Sequence, residues 1–244
     1  MKTNRPFLTA RWRFLAMLNY WVDPAILSPF LPYGTELDKF NGQTYASMVG
    51  FMFLDTRVKG IAVPFHTDFE EVNLRFYVRR KGVDGWRRGV VFVKEIVPRL
   101  AIASLARFRY GEKYIALPMQ HRLDLPEGET SRTGSVEYLW RLEGRWNSLK
   151  VYIHGIPQPA APDSEEEFIT EHYWGYSRLK DGGSIEYQVE HPSWLVWQVS
   201  QTSLDCDIAR LYGPQFVDCL NTRPSSAFVA TGSPVTVYEG SRLD

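Results

Sequence analysis

Stretches in which apolar and polar residues alternate, separated by turn-forming residues, dominate this chain. The clearest one covers residues 71–79 (EVNLRFYVR). Its apolar face carries Val72, Leu74, Phe76 and Val78, and its polar face carries Glu71, Asn73, Arg75 and Tyr77. Because successive side chains of a strand point to opposite faces, this pattern predicts a β-strand with two chemically different sides.

Similar patterns predict further strands at residues 45–55, 89–95, 136–141, 148–153, 184–189, 195–200 and 234–239. Turn signals such as Asn41-Gly42, Asp84-Gly85 and Asp181-Gly182-Gly183 lie between them. Short strands with frequent turns are typical of a sandwich or a barrel.

Two short helices are predicted beside these strands. Residues 23–31 form the first, with Asp23 as its N-cap and Pro24 as its first helical residue. Residues 99–107 form the second, because Ala and Leu recur there at helical spacing after Pro98 has ended a strand. Residues 155–164 are proline-rich and polar, which predicts an exposed connection, either a long loop in one barrel or a seam between domains.

Composition favours one domain over residues 1–244. The length of 244 residues suits one all-β or α+β domain, although two small domains also fit. Aromatic residues make up 14% of the chain and include 8 Trp, which suits sheets and an aromatic-lined cavity better than a helical bundle.

Charge excludes several classes of partner. Lys+Arg and Asp+Glu both number 28, so no basic excess exists for nucleic acid or for an anionic membrane surface. The apolar stretch at residues 14–21 is short and lacks the features of a signal peptide, and no run approaches a membrane-spanning length. The cytoplasm is therefore the expected compartment.

Cysteine and histidine usage argues against a disulfide framework, a metal site and a cofactor. Cys206 and Cys219 are the two cysteines, and we expect free, buried thiols. The acidic neighbours of Cys206 are expected to raise its thiol pKa, which argues against reactivity. No metal-ligand spacing, phosphate-binding loop or dinucleotide fingerprint occurs, so neither a metal nor a cofactor is predicted.

Five segments, in order, match a known pattern. They are LSPFLPYGTELDKFNGQTYASMVGFMFLDTR, FHTDFEEVNLRFYVR, VVFVKEIVPRLAIASLARFRYGEKY, FITEHYWGYS and VEHPSWLVWQVS. Together they resemble the YqjF-like family of uncharacterised conserved bacterial proteins (domain of unknown function 2071). That family is similar in turn to the acetoacetate decarboxylase superfamily. The resemblance implies a cone-shaped antiparallel β-barrel with an internal cavity and a few peripheral helices. Such relatives often self-associate, so a homo-oligomer is one possible state of this protein.

One departure from the decarboxylase pattern changes the expected chemistry. The decarboxylase forms a Schiff base through a lysine that follows a proline, whereas Arg99 follows Pro98 here. A guanidinium stays protonated and does not attack a ketone, so the lysine mechanism does not transfer to Arg99. Lys94 lies nearby but alternates to a different face from Glu95, and it is a weak candidate for a displaced nucleophile.

The polar face of residues 71–79 is the main candidate site. In a barrel interior, Arg75 can pair with a carboxylate ligand while Glu71, Asn73 and Tyr77 orient it. The alternative is an ordinary solvent-facing side. Glu95 and Arg99 are either a pocket pair or a structural ion pair. The polar and aromatic cluster at residues 170–176 supplies two further candidates, Glu171 and Tyr173.

These observations lead to a functional hypothesis with two alternatives. The leading hypothesis is a pocket for a small organic acid or ketone, with Glu95 and Glu171 as catalytic acid–base groups. Its ligand-binding residues are predicted to be Glu71, Asn73, Arg75, Tyr77, Arg99 and Tyr173. The alternatives are a non-catalytic sensor or interaction protein on the same barrel and a decarboxylase with a displaced lysine.

Overall fold

The computed structural model describes residues 5–62, 64–98, 113–126 and 133–243. Its strands are β1 Pro6–Trp21, β2 Glu36–Leu37, β3 Tyr45–Val58, β4 Ile61–Ala62, β5 Phe69–Gly82, β6 Gly85–Val97, β7 Tyr114–Ala116, β8 Met119–Asp124, β9 Thr133–Leu142, β10 Arg145–Pro159, β11 Trp174–Arg178, β12 Ser184–Glu190, β13 Leu195–Asp205, β14 Ser226–Tyr238 and β15 Ser241–Leu243. Its helices are α1 Pro24–Leu27, α2 Glu165–Thr170, α3 Ile208–Tyr212 and α4 Val217–Leu220.

Seven of these strands close into a ring in the order β1, β3, β5, β6, β11, β12 and β14. The closing contacts are the pairing of β14 with β1 along most of its length and its pairing with β12 at residues 236–237. Most ladders are antiparallel, but β6 pairs in parallel with β11 and with β7. The expected mainly β architecture is confirmed, with these two short parallel ladders as additional detail.

A second sheet covers one outer side of the ring. It leaves the ring at β14 and continues through β13, β10, β9 and β8. The outward-facing apolar residues of β5 pack into one buried cluster with side chains of β9, β10 and helices α3 and α4. A separate cluster fills part of the ring interior, with members such as Leu15, Met17, Val49 and Phe228. Both faces of β5 are therefore buried, so its polar face is not the ordinary solvent-facing side.

Two glycines permit close approaches of strands. A Cβ at Gly50 would lie 2.5 Å from the Tyr138 ring, so its absence lets β3 contact β9. Gly232 has φ of 75°, and a Cβ there would overlap the Trp12 carbonyl oxygen of β1. Nearby in β1, Phe14 has φ of 55° in a bulge, and the Tyr138 hydroxyl donates a 2.9 Å hydrogen bond to its carbonyl oxygen.

Several local expectations can be compared with this fold. Asp23 caps α1 by accepting a hydrogen bond from the backbone N–H of Ala25, as predicted, and a 3₁₀ turn completes the segment to Phe30. The expectation of an irregular connection at residues 155–164 is wrong in its first half, because β10 continues to Pro159 and pairs there with β13. The predicted helix at residues 99–107 lies outside the described residues.

The cysteines and the helices give three further findings. Cys206 and Cys219 are free, but they are partly rather than fully buried. Burial, together with Asp207, raises the pKa of the Cys206 thiol to about 12, in agreement with the expected inertness. Within the described ranges, no helix has the length and apolar character needed to cross a bilayer.

Candidate functional site

A cavity of about 400 Å³ lies inside the ring of strands. One side of it, the polar wall, consists of Glu71, Asn73, Arg75, Glu95, Tyr114 and His172. Another side, the aromatic wall, consists of Trp12, Phe51, Phe53, Phe69 and Trp194. A mostly apolar cavity with a few converging polar groups is the usual form of a small-molecule site.

Strand register explains how the two walls arise. The polar face of β5 points inward because its apolar face is covered by the second sheet. Asn73 lies directly opposite Glu95 of β6 on one side and Val49 of β3 on the other. Phe51 of β3 is paired with Glu71, so the aromatic wall begins beside the polar wall.

Glu71 is held in a hydrogen-bonded position at the end of the polar wall. Asn73 Nδ2 donates to Glu71 Oε1 at 3.0 Å, and the Tyr114 hydroxyl donates to Glu71 Oε2 at 3.3 Å. Burial raises the pKa of Glu71 to about 7, although both hydrogen bonds and the charge of Arg75 oppose the shift. The carboxyl group of Glu71 can therefore exchange a proton near neutral pH.

Tyr114 links this carboxyl to Glu95. Burial raises the pKa of the Tyr114 hydroxyl well above its ordinary value, and the negative charges of Glu71 and Glu95 add to the effect. The hydroxyl stays protonated and serves as a donor between the two acidic side chains.

Arg75 is a buried cation with few partners. Its Nη2 lies 3.9 Å from Met17 Sδ, and its guanidinium carbon lies 5.7 Å from the centroid of the Tyr77 ring. Its Nε has no hydrogen-bond partner, and no carboxylate of the described residues lies within ion-pair distance of the guanidinium. A buried charge without a close counter-ion is costly, and an anionic ligand in the cavity would compensate it.

His172 brings a neutral imidazole ring to the polar wall. Burial lowers the pKa of His172 to about 4, so its ring is neutral at pH 7. Its Nε2 lies 3.6 Å from Asp38 Oδ2 and 3.4 Å from Arg88 Nη2, while Nδ1 has no hydrogen-bond partner within the described ranges. Burial acts to raise the pKa of Asp38, but hydrogen bonds from His172 and Arg88 outweigh it and hold that pKa at about 2.

The aromatic wall forms a continuous surface. Phe53 stacks on Phe69 with ring centroids 4.7 Å apart, and it lies 5.1 Å from Phe51. Trp12 contacts Phe51, Phe53 and Trp194 edge to face at 5.5 to 6.3 Å. These contacts fix the shape of the wall.

Comparison with known proteins places the chain in a family. The family described as an uncharacterized conserved protein (COG2071), DUF2071, matches residues 9–234. The chain belongs to the DUF2071 family. This DUF2071 protein is also 27% identical, over 195 residues, to the uncharacterized protein YqjF of Bacillus subtilis (strain 168), across 76% of this chain and 73% of YqjF. The resemblance to the YqjF-like family is thus confirmed.

Solved structures share the fold of this DUF2071 protein. The enduracididine biosynthesis enzyme MppR gives a TM-score of 0.71 in a HEPES-bound form, with 13% identity over 99% of this chain and 89% of that chain. Its complex with pyruvate gives 0.69, with 14% identity over 100% and 92% of the two chains. Acetoacetate decarboxylase from Legionella pneumophila gives 0.64, with 14% identity over 98% and 87%. At these identities the likeness shows the fold alone.

The described lysines of the DUF2071 protein do not line the cavity. Lys94 is paired with Leu74, whose side chain packs on the outer face of β5. Burial lowers the pKa of Lys94. Lys113 lies with its Nζ 4.8 Å from the centroid of the Phe30 ring. Lys2 and Arg99 lie outside the described residues, so the proposed pair of Glu95 with Arg99 stays a prediction.

The structure brings together four of the site residues predicted from the sequence, because Glu71, Asn73, Arg75 and Glu95 all line the cavity. Tyr77 lies beneath Arg75, and its hydroxyl is 2.6 Å from the Ser47 hydroxyl. Its ligand-binding role stays a prediction.

Two other predicted residues lie behind the cavity lining. The Tyr173 hydroxyl donates a hydrogen bond to Glu171, and the Tyr173 ring packs on His191, 4.8 Å between centroids. His191 does line the cavity and stacks on Trp194 at 4.3 Å. The predicted roles of Glu171 and Tyr173 stay predictions, and in this geometry both residues would act through His191.

Sequence reasoning missed parts of the site. Asp38 and Arg88 come from distant segments without a neighbouring motif, whereas His172 lies inside the cluster at residues 170–176, from which only Glu171 and Tyr173 were predicted as site residues. Tyr114 has no local signal beyond its place at the end of the segment VVFVKEIVPRLAIASLARFRYGEKY, which carries part of the family resemblance. Trp12 lies on the apolar side of the alternating stretch Thr9-Ala10-Arg11-Trp12-Arg13, but no strand was predicted there.

Proposed function

We propose that this DUF2071 protein binds a small organic acid or keto acid in the ring cavity and acts on it by acid–base chemistry without a Schiff base. Arg75 holds the carboxylate in this proposal. Glu71 exchanges protons with the bound molecule, and His172, Tyr114 and Glu95 orient it through hydrogen bonds.

The observation that carries the proposal is the burial of the Arg75 guanidinium without a nearby carboxylate from the described residues. Its guanidinium is buried in the cavity wall, and no carboxylate of the described residues lies within ion-pair distance. A planar guanidinium matches a carboxylate with two parallel hydrogen bonds, so an organic acid is the anion that fits best.

Acid–base capacity near neutral pH supports a catalytic role. The pKa of Glu71, raised by burial to about 7, gives that carboxyl both protonation states at neutral pH. The neutral ring of His172 presents Nδ1, which has no hydrogen-bond partner in the described part of the chain, to orient the ligand. Groups with such properties in one cavity are suited to proton abstraction and return at a carbon next to a carbonyl group.

Two structural neighbours support the ligand class by analogy. MppR has been solved in complex with pyruvate, and acetoacetate decarboxylase is named for a keto acid. Shared fold does not transfer activity, so these names support only the choice of acids to test.

Thermal shift measurements with keto acids, hydroxy acids, ketones and aromatic carboxylates test the binding half. An acid at 100 times its Kd should add about 2.7 kcal/mol to the stability and raise Tm by roughly 5 to 10 °C. Arg75→Gln should abolish the shift, whereas Arg79→Gln, an exposed position on the same strand, should keep it. A shift that survives Arg75→Gln would refute the role of Arg75.

Turnover assays with the acids that bind test the catalytic half. Glu71→Gln should retain binding and lose turnover. If no binding acid is ever converted, the catalytic half is wrong and the cavity belongs to a non-catalytic sensor. Borohydride trapping with acetoacetate should give no lysine adduct, and an adduct would restore the displaced-lysine mechanism.

A further inference from the structure

We infer that the acid bound here carries an apolar body of more than six carbon atoms, in the class of medium-chain and aryl-substituted carboxylic acids. The inference rests on the proposed function, because it adds the body of the ligand to the carboxylate assigned to Arg75. It follows from the size of the cavity and from the surface that faces the ligand beyond the polar wall.

The cavity is too large for a short acid alone. A cavity of about 150 Å³ suffices for benzene in another protein, so six carbon atoms define a useful scale. The cavity of this chain is about 400 Å³. A three-carbon acid held at Arg75 would therefore leave most of the apolar surface without a partner.

The surface beyond the polar wall is mostly apolar, although Thr56, His66, Thr170 and His191 also line the cavity. The aromatic wall is extended by Phe7, Leu8, Leu15, Val58, Val90, Phe92, Trp174, Tyr187, Val189 and Val237, which also line the cavity. Such a lining favours a hydrocarbon chain or an aromatic ring over polar groups.

The strand register gives the orientation. Arg75 is paired across the ladder with Ser47 of β3, and Glu71, four residues along β5, is paired with Phe51. The aromatic wall then continues to Phe53, which is paired with Phe69 of β5 and with Trp12 of β1. A carboxylate at Arg75 therefore directs the rest of the ligand along β5 towards Phe53 and Trp12.

Trp12 contributes a polar atom to the aromatic wall. Its Nε1 is buried and has no hydrogen-bond partner among the residues that the structure describes. An oxygen on the body of the acid, such as a keto or hydroxyl group, would accept from it. Acids substituted in this way should bind more tightly than the unsubstituted ones.

Isothermal titration calorimetry with butyrate, hexanoate, octanoate and 3-phenylpropionate tests the inference. Each buried methylene should tighten Kd by about threefold to fourfold, so the four extra methylenes of octanoate should make it bind roughly 80-fold to 250-fold more tightly than butyrate. Binding should also show an increasingly negative heat-capacity change along the series, because more apolar surface is buried.

Substitutions in the cavity wall test recognition of the apolar body and recognition of the carboxylate separately. Trp12→Leu and, independently, Phe53→Leu should weaken octanoate at least fivefold and change butyrate by less than twofold. Trp86→Leu is the matched control, because Trp86 is exposed and lies outside the cavity lining. Arg75→Gln should weaken both acids.

The outcomes distinguish failure of the inference from failure of the proposed function. Equal affinities for butyrate and octanoate, both lost in Arg75→Gln, would overturn the inference and keep the proposed function. Binding of 1-octanol as tight as that of octanoate, unaffected by Arg75→Gln, would show an apolar cavity without acid recognition and overturn both. Absence of binding by every acid in the series would overturn the inference, and the keto and hydroxy acids of the thermal shift panel would then decide the proposed function.

Discussion

The titration of Glu71 gives a quantitative prediction for stability against pH. Burial raises the pKa of this carboxyl from its ordinary value of 4.5 to about 7 in the folded protein. Between these two values the folded protein binds more protons at this site than the unfolded chain does. Stability from this site is therefore fully present below pH 4.5 and is lost as the pH rises to about 7.

The size of the effect follows from the two pKa values. Each pH unit of difference is worth about 1.4 kcal/mol, so the site removes about 3 kcal/mol of unfolding free energy across this range. Urea unfolding of the wild-type protein and of Glu71→Gln, at about pH 4 to about pH 8 in carboxylate-free buffer, measures it. The difference between the two free energies should change by about 3 kcal/mol in the direction that favours the wild type at low pH.

A control and a second measurement test the same reasoning. Glu36→Gln removes an exposed carboxylate and corrects for the change in net charge. A flat difference curve for Glu71→Gln would refute the assignment of the raised pKa. Because an ionised Glu71 repels an anion at Arg75, the Kd of a bound acid should rise up to about tenfold per pH unit above pH 7 in the wild type and stay level in Glu71→Gln.

Two further predictions concern the bulged strand β1. Gly232→Ala should destabilise the protein by several kcal/mol in urea unfolding, because its Cβ would overlap the Trp12 carbonyl oxygen at a left-handed backbone position. Gly144→Ala, also left-handed but with open space around it, should cost only about 1 kcal/mol, and equal losses would contradict the steric account. Tyr138→Phe should cost about 1 to 2 kcal/mol, because the carbonyl oxygen of Phe14 loses its buried donor, and an unchanged midpoint would show that this hydrogen bond is dispensable.

Local pattern was sufficient to predict several of the longer strands and the cap of the first helix, but it did not predict β1. The alternation at residues 71–79 falls inside Phe69–Gly82, and the apolar run at residues 45–55 falls inside Tyr45–Val58. Both depend on side chains adjacent in sequence. The segment at residues 155–159 was misread, because its prolines suggested a loop, whereas prolines are tolerated beyond a bulge near the end of a strand.

The direction of the polar face was beyond the reach of local pattern. Periodicity separated Glu71, Asn73 and Arg75 from their apolar neighbours, but the second sheet decides which face points inward. The contact between Asp38 and His172 also depends on closure of the ring, since 134 positions separate the two residues. Such long-range contacts are set by tertiary packing and leave no periodic trace in the sequence.

The hairpin of β11 and β12 is joined to the rest of the ring by two short β-ladders. Two residue pairs join β11 to β6, and two join β12 to β14, whereas β1 and β3 share eleven. Local opening of the hairpin therefore breaks few ladder hydrogen bonds, besides the ion pairs of Glu186 with Arg80 and Arg87. Its amide protons should exchange with deuterium before those of β1 and β3. Since Trp174, Tyr187 and Val189 of this hairpin line the cavity, the same opening would admit a ligand, and a bound acid should slow the exchange.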